Sequence, residues 1–325
     1  MTIIKIFILG TILAGFSNLI FGLIVYFGNE KDAKNRDFFL LELALGSWLF
    51  FYAVWLSQND ATDAIFWSRM LNLSATFIPI FFLHWILSFL GIHKKKLLIF
   101  AYSLTFLFAY YSFSPIYITE IKSISVFQYW PQAGWLYTVF LTTFVGYFTY
   151  AFILLYREIK NTKNEERKIQ TKYIFIGSLI SVLGGAFNFP LMYGFFFIPL
   201  TLVTIFHPLF WAFGVLRHGL FHIKIIATEF LVVLLSAIFF IKIFSYSNVL
   251  ELYFNIFIFT ITTFLGYLII RSVLKEVRTR ERMENLAEEL ATANARLRAL
   301  DQQKTEFVSI ASHQLRSPLT AIKGY

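Results

Sequence analysis

Cysteine is absent from the 325 residues, which removes disulfide frameworks, thiolate metal sites and redox-active thiols from consideration. Charge is scarce as well. Only 14% of the residues are Asp, Glu, Lys or Arg, whereas 58% are hydrophobic and 41 are phenylalanine. With a mean hydropathy of +0.67, the chain is far too apolar for a soluble globular protein. Acidic residues are the rarer sign, 19 against 28 basic, for a net charge of +9. The basic residues sit in short connections between apolar runs, so the excess is a topology signal and no nucleic-acid partner is expected. A cleavable leader is not evident: Met1 to Phe27 holds only Lys5 before a long apolar run, which reads as a true span.

What the chain does have is a succession of apolar runs. About nine are long enough to cross a bilayer at roughly 20 residues each. They lie near 3–27, 38–57, 65–91, 97–113, 136–156, 173–193, 195–216, 225–244 and 252–270. Alternate connections are basic, carrying Lys31, Lys34 and Arg36, then Lys94, Lys95 and Lys96, then Arg157 to Lys172, then Arg217 and Lys224. The other connections hold almost no Lys or Arg apart from Lys122. The positive-inside rule therefore puts the N-terminus outside and everything after Arg271 in the cytoplasm. The expected fold class is all-α: a polytopic transmembrane bundle followed by a cytoplasmic helix.

Polar residues inside the spans are functional candidates by default. Glu42, Arg69, Glu229 and Lys242 fall near expected span ends, where snorkelling is the simpler account. Asn72 and His84 in the third run, with Asn188 and His207, are deeper and form the candidate ligand set; interhelical hydrogen bonding is the alternative. Gly177, Ser181 and Gly185 recur every four residues, a small-residue face suited to close helix packing. Between spans, Ser114 to Trp135 is the one outer connection with room for structure. Its segments Pro115–Glu120 and Ile121–Phe127 partly alternate, which fits a short β-hairpin over the bundle. Tyr117, Phe127, Tyr129, Trp130 and Trp135 could line a ligand cup, but an interfacial aromatic belt is the favoured reading.

After Ile270 the composition turns to a charged helix. Met283, Leu286, Leu290, Ala293, Leu297, Leu300, Lys304, Phe307 and Ala311 are spaced alternately three and four apart, the seam of a coiled coil. A seam this narrow buries little unless a second copy pairs with it, so a homodimer is expected. Upstream, Val273 and Val277 do not share the register, which implies a phase break near 278–282. At about 100° per residue His313 lies roughly 200° around the helix from Ala311 and Leu315, away from the stripe. An exposed imidazole there titrates near neutral pH and keeps a nucleophilic nitrogen free. Pro318 cannot donate to the carbonyl of Gln314, so the helix should bend or loosen at that point.

The run Phe307-Val-Ser-Ile-Ala-Ser-His313-Gln-Leu-Arg-Ser-Pro318-Leu-Thr-Ala-Ile-Lys-Gly-Tyr325 resembles the H-box of bacterial sensor histidine kinases, at nearly every defined position. The resemblance implies that His313 takes the γ-phosphoryl group of ATP and passes it to an aspartate of a response regulator, with Gln314, Arg316, Ser317 and Pro318 completing the motif. Gln314 stands where a carboxylate is common; it can orient the imidazole but is not a base. Ser317 replaces the commoner threonine at a position linked to phosphatase activity. A second set of positions is similar to the seven-helix N-terminal sensor region of membrane histidine kinases. These are Phe77-Ile-Pro79 to His84-Trp85, His207-Pro208, and Gly214-Val-Leu-Arg217-His218 to Phe221-His-Ile223.

The expected organisation is then a seven-helix sensor region over 1–223 and an added transmembrane hairpin over 224–270. A cytoplasmic coiled-coil linker over 271–300 leads to the start of a dimerisation and phosphoacceptor domain over 301–325. No glycine-rich nucleotide loop or asparagine-rich ATP site follows, so the sequence reads as a fragment; ATP and Mg²⁺ are expected only through a histidine kinase ATPase domain that would act as partner. The further partners are a response regulator and the lipid bilayer of a bacterial plasma membrane. The competing function is a polytopic transporter or a receptor with a coiled-coil tail and no kinase activity.

Overall fold

The computed structural model describes residues 2–28, 30–195, 199–201 and 249–323, with positions 204, 211, 228, 231–232, 235–236, 238–239 and 242–243 between them. The elements whose bounds fall within these residues are seven α-helices, one β-hairpin and a 3-10 turn. Helices α1 (Thr2–Gly28), α2 (Ala33–Leu56), α3 (Ala61–Leu90), α4 (Lys95–Tyr111), α5 (Trp135–Asn161) and α6 (Glu165–Ala186) precede the 3-10 turn Pro190–Tyr193, and α7 runs from Val249 to Lys323. The polar connections set the helix starts. Asp32 accepts from the Lys34 amide at the head of α2, Asp60 from the amides of Thr62 and Asp63 at α3, and Asn164 from Arg167 at α6. Gly91 closes α3 in the left-handed region, at φ 71°, where a side chain is strained.

The architecture is all-α and polytopic. Among the described residues 6 segments are long and apolar enough to cross a membrane: Ile4–Phe27, Ala33–Leu56, Ala61–Leu90, Trp135–Asn161, Glu165–Tyr193 and Glu251–Val277. Helix α4, with 17 residues, is at the lower limit for a span. The runs expected near 195–216 and 225–244 fall mostly outside the described residues.

In the unit formed by residues 1–270, α1 and α2 meet through glycine. A Cβ on Gly46 would lie 2.6 Å from Leu19 Cγ, and one on Gly22 would lie 2.7 Å from Glu42 Cβ. Glu42 is therefore no snorkelling residue: it is completely buried in mid-helix. Lys242, by contrast, is exposed; Glu229 lies outside the described residues. An aromatic core fills the centre, with Phe38 and Trp211 at 5.1 Å and 4.9 Å from Trp85, and Phe82 stacked on Phe148 at 4.6 Å. At the end carrying the basic connections, Arg167 donates from Nη2 to the Phe89 carbonyl at 2.6 Å and sits 4.0 Å over the Phe89 ring.

The hairpin exists but is displaced along the chain from its expected position. The two segments expected to be separate strands belong largely to one, β1 (Ile118–Ile124), and β2 (Phe127–Ala133) pairs with it antiparallel. Ser125 makes the turn at φ 55°, without the glycine or asparagine that usually marks one. Pro131 sits opposite Ile121 beside a register shift, the place in a ladder that tolerates proline. Trp55 Nε1 donates to the Tyr129 carbonyl at 3.0 Å, and Tyr129 Oη donates to the Asn59 carbonyl at 3.0 Å, which fastens β2 to the end of α2.

The second unit, residues 271–325, is helical through Pro318 as far as Lys323. Its apolar stripe is uncovered in the single chain: Met283, Leu286, Leu290, Leu297, Leu300 and Phe307 are all exposed.

Candidate functional site

Below the hairpin, α2, α3, α5 and α6 line a partly open cavity of about 80 Å³. Tyr52 and Trp55 from α2, Asn72 from α3, Trp130 from β2, Phe144 from α5 and Gly185 from α6 are among its walls. No Asp, Glu, Lys, Arg or His lines it among the described residues.

Two of the four ligand candidates meet here. Asn188, just past α6, accepts from Tyr52 Oη at 2.9 Å and donates from Nδ2 to the Gly185 carbonyl and to Thr201 Oγ1, both at 3.0 Å. Its carboxamide is thus committed to tying α2 to the segment after α6. Asn72 donates to the Ser68 carbonyl of its own helix at 2.7 Å. The small-residue face of α6 is not uniform: Gly177 is buried, whereas a Cβ on Gly185 would meet nothing within 4 Å, and one on neighbouring Gly184 would lie 3.1 Å from Thr204. The room left at Gly185 and Ser181 opens into the cavity wall.

The outer aromatics divide. Tyr117, Phe127 and Trp130 are buried against the bundle, and only Trp135 is strongly exposed, so a belt describes Trp135 and not the other three. Tyr117 shares a hydrogen bond with Thr76 at 3.1 Å. Burial, with Tyr137 alongside, pushes its phenol well above the usual tyrosine range, against the pull of that bond. Residues not singled out from sequence, Tyr52, Trp55 and Thr201, complete the site. The spacing Trp48, Tyr52, Trp55 was the available signal, one aromatic stripe on α2.

His84 is elsewhere, at the basic end. Its Nδ1 is 2.8 Å from Tyr102 Oη and its Nε2 is 3.6 Å from Asp37, which is buried and also accepts from Ser88. Arg36 lies 3.3 Å from the other Asp37 oxygen. His207 lies outside the described residues. His313, Gln314, Arg316, Ser317 and Pro318 lie on the helical backbone of α7, their side chains outside the described set. Among the described residues no cluster of His, Asp or Glu could hold a metal ion.

No curated protein and no solved structure matches the chain. A family model does: residues 11–224, more than half of the chain, match the N-terminal 7TM region of histidine kinase. Helices α1 to α6 fall largely or wholly within that range. The chain therefore belongs to the family of membrane histidine kinases that carry this N-terminal 7TM sensor region.

Proposed function

We propose that the chain senses a stimulus through its membrane region and carries, at His313, the phosphoryl-accepting histidine of a two-component relay. The observation that supports this reading is the coincidence on one chain of the 7TM histidine kinase region and, beyond it, an H-box-like run in phase with an exposed apolar seam. In this reading a second copy covers the seam from Met283 to Ala311, whose residues Met283 to Phe307 a single chain leaves open to water. Burying five leucine-sized side chains per copy contributes on the order of 1.5–3 kcal/mol each, ample for a dimer.

His313 then acts as the nucleophile. An imidazole nitrogen forms a bond to the γ-phosphorus of ATP as the bond to the β–γ bridging oxygen breaks; ADP leaves with the electron pair, and the ring sheds a proton to solvent. Gln314 steadies the ring by hydrogen bonding and takes no proton. A histidine kinase ATP-binding domain holds Mg²⁺-ATP, and an aspartate carboxylate of a response regulator receives the phosphoryl group in the second transfer. The membrane is a bacterial plasma membrane, and α7 enters the cytoplasm.

Incubation with such an ATP-binding domain and radiolabelled Mg²⁺-ATP tests this. The expected product is an acid-labile, alkali-stable phosphoramidate that is absent from His313→Ala and kept or raised in Gln314→Glu. Label retained in His313→Ala would remove that residue from the role.

A further inference from the structure

Among the described residues lining the cavity beneath the hairpin, Trp130 carries a fully buried donor without a partner. Trp130 is 2% exposed, and its buried Nε1–H has no hydrogen-bond partner. A buried donor left without an acceptor costs about 1–3 kcal/mol. Three polar side chains of the same walls are already engaged: Trp55 Nε1 with the Tyr129 carbonyl, Tyr52 with Asn188, and the Asn188 amide with Gly185 and Thr201. The same cavity has open space at its Gly185 wall, where an added Cβ would meet nothing within 4 Å.

We propose that this cavity is a binding site for a small neutral molecule with an apolar body and one hydrogen-bond acceptor, a carbonyl, ether or hydroxyl oxygen, received by Trp130 Nε1–H. Neutrality follows from the described wall residues, none of which carries an ionised side chain to pair with a buried charge. Size follows from volume. An apolar cavity of about 150 Å³ takes benzene, so about 80 Å³ corresponds to roughly three to five heavy atoms. The position gives the occupant a lever, because β2 also holds the α2–α3 turn through Tyr129 and reaches the 3-10 turn through Gln132 Nε2 and the Leu191 carbonyl, at 3.4 Å. A molecule seated under Trp130 favours whichever hairpin position presents the N–H to it, and the preference for one state over another is what shifts a sensor's equilibrium. The signalling use of the site rests on the sensor reading above; the binding itself does not.

The test uses acetone and its isostere 2-methylpropene, which share a shape and differ in the acceptor. Saturation-transfer NMR on the full chain in lipid nanodiscs, with empty nanodiscs as the blank, reads binding without any kinase step. Wild type is expected to bind both saturably. Trp130→Phe should weaken acetone about 5- to 10-fold, the factor for one hydrogen bond of about 1 kcal/mol or slightly more, and leave 2-methylpropene unchanged. Gly185→Leu should abolish both. In isotope-labelled wild type, acetone should move one indole N–H resonance that 2-methylpropene leaves in place, a reading that does not depend on either variant folding. Absence of saturable acetone binding, equal acetone affinity in Trp130→Phe, binding retained in Gly185→Leu, or no indole resonance that acetone alone moves would each overturn the site. Saturable acetone binding with no effect on His313 phosphorylation would instead count against the sensor reading.

Discussion

Asn72 and Asn188 share a side chain and a cavity wall, yet they hold different things. The Asn188 carboxamide joins α2 to Thr201 through Tyr52, 136 residues away in sequence. Removing it leaves a buried phenol and a buried hydroxyl without that partner. Asn188→Ala is therefore expected to cost about 2–6 kcal/mol, at 1–3 per buried group left unpaired. Asn72 bonds only one turn back along α3, and alanine at that position is a better helix former. Asn72→Ala should stay within about 1 kcal/mol of wild type. Thermal melting of both variants in the same detergent distinguishes them, and equal losses would show that the Tyr52–Asn188–Thr201 link carries no special weight. From sequence both residues were visible as polar groups deep in apolar runs. Their difference was not, because it depends on which helix turns toward which, and on partners more than a hundred positions away.

At the scale of elements, the hairpin and α5 show where glycine matters. A Cβ on Gly134 would fall 2.1 Å from the Ile116 carbonyl oxygen, and the Gly134 amide already donates to Tyr117. No side chain fits unless backbone moves. In α5, a Cβ on Gly146 would meet nothing within 4 Å, so alanine there gains about 0.5–1 kcal/mol in helix propensity without a clash. Gly134→Ala should lower the melting temperature and make the hairpin easier to cleave by protease, while Gly146→Ala raises the melting temperature slightly. If Gly134→Ala melts and resists cleavage like wild type, the hairpin does not depend on that close approach. The existence of the hairpin was legible from partial alternation. Its register was not, since Ser125 at positive φ is an unusual turn residue and Pro131 argues against a strand. Helix α7 was the most legible element, because a repeat of three and four needs no partner to be seen.

For the whole molecule the charge pattern makes a claim that the structure sharpens. The basic connections gather at one end of the bundle, where Arg167 of α6 bonds the last turn of α3 at Phe89. The hairpin occupies the opposite end, and its Lys122 is paired with Glu120 at 2.8 Å, so little net positive charge remains there. The positive-inside rule predicts that the hairpin end, with the cavity beneath it, faces outward. A chain without cysteine allows a clean measurement. Single substitutions Asp60→Cys and Ser123→Cys should react with an impermeant thiol reagent on intact cells; Lys95→Cys and Lys163→Cys should not. Labelling at Lys163→Cys would invert the bundle. The direction of α7 is a separate matter, fixed by the parity of spans between α6 and Val249, where the apolar runs near 195–216 and 225–244 each have the length to cross. If both cross, Arg298→Cys is spared along with Lys95→Cys and Lys163→Cys, and His313 shares a compartment with ATP. If Arg298→Cys is labelled while those two are spared, one of the runs turns back, nine spans become eight, and the histidine stands on the side where no kinase could reach it.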